Sequence, residues 1–327
     1  VLKLDLLGHD VPTIIKMLED STNTDSRKIP KMDDKVIKLF YSTDSLNLKP
    51  SDISGETTGA YALPEFGTQF VRKMLKESKP QTFNDLILLS GLSHGIGVWT
   101  NNTEELVKSG KKLVECVCCR DDIMRNLISW NIDKLESFKI MEAVRKGKGL
   151  TNEQEGLLLS KNVPTWYISS LKKIQYMFPR AHATAYVIMA WRIAWYKIYY
   201  PLQFYAAYFS TKNDYIYIKI LSSGKQFIGN KLNELRSKIN NNDSSLSTKE
   251  KDFVPILEIA QELYARGLKI SNIDLMKSKV YEWVIDEKNN TLIPPFVTVE
   301  GLGDTAAESV ISARKNGEFY SIEDLVN

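Results

Sequence analysis

Phe178, Pro179, Arg180, Ala181, His182, Ala183, Thr184, Ala185 and Tyr186 put cations and aromatic rings at the start of a long apolar stretch. A proline suits the first turn of a helix, and that turn leaves backbone amides unpaired. Arg180 and His182 add side-chain donors, so the helix mouth suits an anionic, flat ligand. A base carrying a triphosphate is such a ligand. Upstream, Arg145, Lys146 and Lys148 are interleaved with Gly147 and Gly149, three cations on backbone that a ligand can approach closely. Two readings stand for them: grip on phosphate, or a solvated helix C-terminus where cations complement the macrodipole. Ser93 and His94 read as part of a glycine-bounded loop, while Arg120 is followed by Asp121 and Asp122, either of which can pair with it. Tyr186 shares its helical spacing with Trp191, Trp195 and Tyr199, a pattern that also suits core packing.

These side chains need elements to hold them. Residues 2–7 alternate loosely and stop at Gly8, which suits a short strand, a turn and a helix starting near Pro12. From there to about Phe209 the periodic segments read as helix. Phe66, Phe70, Met74 and Leu75 are helix-spaced within 64–77; 121–130 and 134–146 repeat the pattern, and Thr151 with Gln154 forms a capping box. Pro164 opens the next helix. An amphipathic stretch over 214–240, broken at Gly224 and Gly229, is followed by a polar loop and a helix over 248–266. Segments 279–285 and 291–293 read as a small hairpin. Gly301, Leu302 and Gly303 then make a turn feeding a helix that reaches Lys315, and Ser321 caps a last short one.

At 327 residues, 43% of them hydrophobic, the chain suits two or three structural units with a real core. The net charge of +3 says little about partners. Its distribution says more, because 143–182 holds seven cations and two carboxylates, the footprint of a localised anion partner. The N-terminus lacks a signal-peptide layout and reads as a strand cut from a larger protein. Residues 181–200 are interrupted by His182, Arg192 and Lys197, whereas a membrane span needs about 20 mostly apolar residues. No membrane association is expected. Cys116, Cys118 and Cys119 are too few and too clustered for a disulfide framework and have no nearby histidine to complete a zinc site. Packed thiols in a reducing cytoplasm are expected.

Four blocks carry a more specific signal: Ser90-Gly91-Leu92-Ser93-His94-Gly95, Cys119-Arg120-Asp121-Asp122-Ile123-Met124, Val144 through Thr151, and the Phe178–Tyr186 run continued by Met189 through Ile193. In content and order they resemble the bacterial C-family replicative DNA polymerases of the PolC type, over nearly the whole chain. The resemblance implies a mainly α fold: a multi-helix fingers domain with a terminal palm β-strand and a small C-terminal β-hairpin plus helix-hairpin-helix unit. The implied division is the end of the palm over 1–20, fingers over 21–210, a helical continuation over 211–270 and a duplex-binding helix-hairpin-helix region over 271–327.

The implied reaction is templated nucleotidyl transfer by a two-metal mechanism. The family's palm holds magnesium with three carboxylates, the last on a lysine-x-aspartate strand that Lys3 and Asp5 match. Asp5 is thus the expected catalytic metal ligand, with Lys3 on the same strand face near phosphate. The other carboxylates are not in this sequence, so the chain alone is not expected to extend a primer. Ser93, His94, Arg120, Arg145, Lys146, Lys148, Phe178, Arg180, His182 and Tyr186 are the expected contacts for an incoming dNTP. Gly301, Gly303 and Arg314 are expected on DNA, since a glycine turn lets backbone amides meet a phosphate. Expected partners are primer-template DNA, deoxynucleoside triphosphates and, for the whole family member, the sliding clamp and replisome proteins. Ile96 and Gly97 depart from the polar residues the family pattern favours after Gly95. A second reading is a non-catalytic DNA-binding or accessory piece of a split polymerase, needing a partner chain for the remaining carboxylates.

Overall fold

The computed structural model describes residues 10–317 together with 319 and 321. The strand expected over 2–7, with Lys3 and Asp5, and the helix expected after Ser321 lie outside the described residues. The fold is mainly helical, in the order α1 (Asp10–Thr22), α2 (Asp34–Leu39), α3 (Gln69–Ser78), α4 (Phe83–Ser93), α5 (Glu104–Lys108), α6 (Arg120–Ser129), α7 (Lys134–Arg145), α8 (Asn152–Ser160), α9 (Thr165–Lys173), α10 (Arg180–Tyr199), α11 (Pro201–Ser210), α12 (Ile218–Leu221), α13 (Lys225–Asn240), α14 (Thr248–Ala265) and α15 (Asp304–Ala313). Helix starts follow the capping chemistry. Reciprocal side-chain bonds link Thr82 with Asp85 at α4, Thr151 with Gln154 at α8 and Ser247 with Glu250 at α14.

Three expectations shift. The helix expected from Pro64 begins only at Gln69, because Ala62 and Glu65 take positive φ (61° and 68°) and turn the chain first. Phe66 is consequently buried in that turn, edge-on to Phe40 at 5.0 Å, while Phe70 is 47% exposed. Gly224, at φ 88°, does end one helix before the next, but Gly229 is accommodated within α13. The hairpin is shorter than expected and has a third strand: β2 (Val284–Asp286) pairs antiparallel with β3 (Thr291–Ile293), and β1 (Lys269–Ile270) lies parallel to β3. At two residues, β1 is too short to show a period.

The chain forms two compact units from interleaved segments. One comprises 30–42 and 58–191. In it α4 runs so close to Cys118 and Cys119 that a Cβ on Gly91 would lie 2.4 Å from the Cys119 sulfur and 2.8 Å from the Cys118 carbonyl oxygen. All three cysteines are buried free thiols, with burial pushing Cys116 up to about 11 and Cys119 to about 12. The other unit comprises the described parts of 1–29, 43–57 and 192–327. There α13 packs on α14, α1 on α11, and α11 on the sheet. Among the described residues no helix is long and apolar enough to cross a membrane.

Candidate functional site

Residues 175–178, between α9 and α10, join Ile96, just after the first sequence block, to the second and third blocks in the 30–42 and 58–191 unit. The Ile96 amide donates to the Tyr176 carbonyl at 3.0 Å, and the Ile96 carbonyl accepts from Gln175 at 2.9 Å and Tyr176 at 3.2 Å. The Met177 amide donates to the Arg145 carbonyl at 3.3 Å, and the Arg120 amide to the Phe178 carbonyl at 3.2 Å. Two glycines make this approach possible. Gly97 and Gly147 have φ of 70° and 71°, and a Cβ on either would lie 2.2 Å from the Lys173 carbonyl oxygen or 2.6 Å from that of Gln175. No other residue type satisfies both the conformation and the space.

This tethering builds a column of rings. His94 stacks on Phe178 with centroids 4.7 Å apart and planes 30° apart. Phe178 meets His182 edge-to-face at 5.0 Å, and His182 stacks on Tyr186 at 4.7 Å. Spacing by fours brings Phe178, His182 and Tyr186 onto one side of the α10 start. Tyr186 therefore belongs to the column, whereas Trp191 is buried and donates its indole N–H to the Pro30 carbonyl at 2.8 Å. His94 Nε2 also meets Glu65 Oε2 at 2.5 Å. Ser93 is not in a loop: it ends α4 and turns its hydroxyl back to the Ser90 carbonyl at 3.0 Å.

The cations of the matched blocks are engaged in different degrees. Arg180 binds Asp122 at 3.0 Å and the side-chain carbonyl of Asn84, and its backbone amide donates to Asp121 at 2.8 Å. The helix mouth thus already holds an internal carboxylate, on the unpaired amides that attract anions. Asp122, almost wholly buried, also accepts from the Cys119 amide at 2.8 Å and Arg125 at 3.2 Å, so the acidic pair serves Arg180 more than Arg120. Arg120 Nε is 4.0 Å from Asp121. Arg145 binds Glu142 through two nitrogens and Lys146 reaches the same carboxylate at 2.9 Å; these bonds hold Glu142 down at about 2. Lys148 is exposed and makes no ion pair among the described residues. Glu65, Asn84 and Glu142 escaped the sequence reading. Only Glu142 left a signal, lying three residues before Arg145 on one helix face.

In the other unit, Gly301 turns at φ 83° and Gly303 immediately precedes α15, as a glycine turn feeding a helix requires. Arg314 donates to the carbonyls of Leu275 at 3.1 Å and Ser278 at 2.6 Å, pinning the end of α15. Among the described residues no three His, Cys, Asp or Glu side chains converge to hold a metal ion. Lys3 and Asp5 lie outside the described residues.

Residues 11–161 fit the family described as the bacterial DNA polymerase III alpha subunit finger domain, and 267–327 fit the helix-hairpin-helix motif. The sequence is 51% identical over 329 residues to the DNA polymerase III PolC-type of Mycoplasmopsis pulmonis, covering 100% of this chain and 23% of that protein. It is 51% identical, with the same coverage, to that of Ureaplasma parvum serovar 3. Along its whole length the chain is similar to a segment of PolC-type DNA polymerase III proteins. A further relative, the PolC-type protein of Listeria monocytogenes, is 49% identical over 326 residues, with 22% of its length covered. The chain thus spans less than a quarter of the length of these PolC-type relatives. Within it, the finger-domain match contains the Glu65, His94, Arg120 and Arg145 positions, and the column is completed by α10 beyond that match.

Proposed function

We propose that this chain binds an incoming deoxynucleoside triphosphate and primer-template DNA for templated DNA synthesis in the cytoplasm. The observation that carries the reading is the convergence of His94, Phe178, His182 and Tyr186 into one ring column, in the unit that also carries Arg120, Arg145, Lys146, Lys148 and Arg180. Flat rings give a base or sugar a packing surface, and stacking of a base on an aromatic side chain is worth roughly 1–3 kcal/mol. The cations hold the triphosphate in line with a primer hydroxyl, a contribution of positioning and charge neutralisation. Lys148 is available at once, while Arg145, Lys146 and Arg180 must exchange an internal carboxylate for phosphate. In the other unit, the Gly301–Gly303 turn and α15 bind duplex backbone through amides, which is independent of sequence. Arg314, whose Nη1 is held by the Leu275 and Ser278 carbonyls, is the side-chain contact to the same duplex.

Asp5 contributes a hard oxygen ligand for magnesium, whose part when bound is to activate the primer hydroxyl and neutralise the leaving pyrophosphate. Sliding clamp and replisome proteins are the partners of the complete polymerase. The test uses both the chain and the complete polymerase. The chain should bind primed template with affinity that falls steeply with salt, and salt-insensitive or absent binding would count against the duplex-binding reading. In the complete polymerase Asp5→Ala should abolish primer extension while leaving primed-template binding intact; retained extension would remove Asp5 from the metal site.

A further inference from the structure

We propose that Glu65 is a positioning residue of the nucleotide site, fixing the plane and the proton of His94 so that Nδ1 is presented to an oxygen of the bound nucleotide. This rests on the nucleotide reading above. Two independent constraints meet on the imidazole. Stacking on Phe178, 4.7 Å away and 30° from parallel, sets the ring plane. The contact of Nε2 with Glu65 Oε2 sets the rotation within that plane. A carboxylate only accepts, so Nε2 is the nitrogen that carries a proton in both the neutral and the cationic ring. Nδ1 has no hydrogen-bond partner among the described residues. It accepts from a nucleotide hydroxyl when neutral and donates to a phosphate oxygen when protonated.

The turn that carries Glu65 fits this role. Glu65 side-chain exposure is 9% against 41% for His94, so the acid stands behind the ring and the ring faces solvent. Glu65 holds φ at 68°, a conformation a residue with a long side chain adopts only where its surroundings impose it. Here they do: Phe66 is buried, and the Phe66 and Gly67 amides both donate to the Leu63 carbonyl, at 3.3 and 2.9 Å. Leu63 is itself buried, which anchors the turn.

In the complete polymerase, Glu65→Ala should raise the KM for dNTP about tenfold with kcat changed less than about twofold, the split expected of lost binding. Glu65→Gln keeps an acceptor for Nε2–H and should rescue most of that loss, and it carries the test if the alanine variant fails to fold. Because Glu65 acts through His94, the Glu65→Ala/His94→Ala double variant should be no worse than His94→Ala alone. Nitrogen-15 shifts of His94 should report protonated Nε2 in the parent and a tautomer mixture in Glu65→Ala. A raised KM in His94→Ala with an unchanged KM in Glu65→Ala would overturn the proposal while sparing the nucleotide reading. An unchanged KM in His94→Ala would instead overturn that reading and this role with it, even if the tautomer of His94 follows Glu65.

Discussion

Two charge clusters, one in each unit, stand in opposite environments. In the unit of 192–327, Lys197 Nζ binds Glu262 Oε1 at 2.7 Å with both side chains wholly buried, and Tyr205 donates its hydroxyl to the same oxygen at 2.6 Å. Arg266 closes this network by donating to the Lys197 carbonyl at 2.8 Å. Burial, and then Glu262, push the Tyr205 hydroxyl well above its usual range, so it stays a donor. In the unit that carries the ring column the same residue types remain within reach of water at the end of α7 and the start of α10. Arg145, Lys146 and Glu142 lie at the end of α7, and Arg180 is partly exposed above Asp122. A pair sealed from water cannot change partners without exposing a charge to an apolar interior, whereas a pair at the surface can. The difference separates charge that holds the fold from charge that can be handed to a ligand.

The largest expected effect breaks the sealed side of this contrast. Glu262→Leu leaves Lys197 without its carboxylate, and removing one partner of a buried pair costs about 3–5 kcal/mol. Denaturant unfolding of the chain measures it. Converting both partners, Lys197→Met with Glu262→Leu, should recover most of the loss, since similar-sized apolar pairs often replace buried ions at little cost. A single variant costing less than about 1 kcal/mol would mean water reaches the pair and the contrast fails.

Arg180 tests the intermediate case. Its guanidinium binds the buried Asp122 and Asn84 while remaining partly exposed, so Arg180→Ala should cost about 1–3 kcal/mol of stability, the worth of hydrogen bonds to a charged group. In the complete polymerase it should also raise the nucleotide requirement. A stability loss with unchanged KM for dNTP would make Arg180 a wholly structural cation; a raised KM with unchanged stability would show that its bonds to Asp122 and Asn84 contribute nothing to the fold.

Helix identity was legible because periodicity and caps are local: Thr151 and Gln154 announce α8 before any contact is known. The gathering of the blocks was not. Ile96, Arg145 and Phe178 are far apart in sequence, and only the backbone bonds to 175–178 join them. Gly97 and Gly147 carried a trace of that junction, since glycines are required where chains approach closely, but nothing local says what they approach. The occupation of the cations was hidden for a related reason. Arg180 finds Asp122 and Asn84 across 58 and 96 positions of sequence, so a reading that sees a cation at a helix start cannot see that it is already held. β1 was missed because two residues have no period and draw their pairing from β3.

The smallest effect bears most directly on whether surface pairs yield to a ligand. Glu142 sits at about 2, below its ordinary value of 4.5, through its bonds first with Arg145 and then with Lys146. A depressed carboxyl stabilises the fold fully above the ordinary value, and that contribution is lost as pH falls toward the folded one. Carbon-13 titration should therefore find Glu142 still ionised near about pH 3.5, where an unpaired glutamate is mostly protonated. If phosphate draws Arg145 and Lys146 away, adding a deoxynucleoside triphosphate weakens both bonds and must move the Glu142 midpoint upward. A midpoint unmoved at saturating nucleotide would place these two cations with Lys197, among the charges that hold the fold, and would leave Lys148 as the cation of this block that meets phosphate.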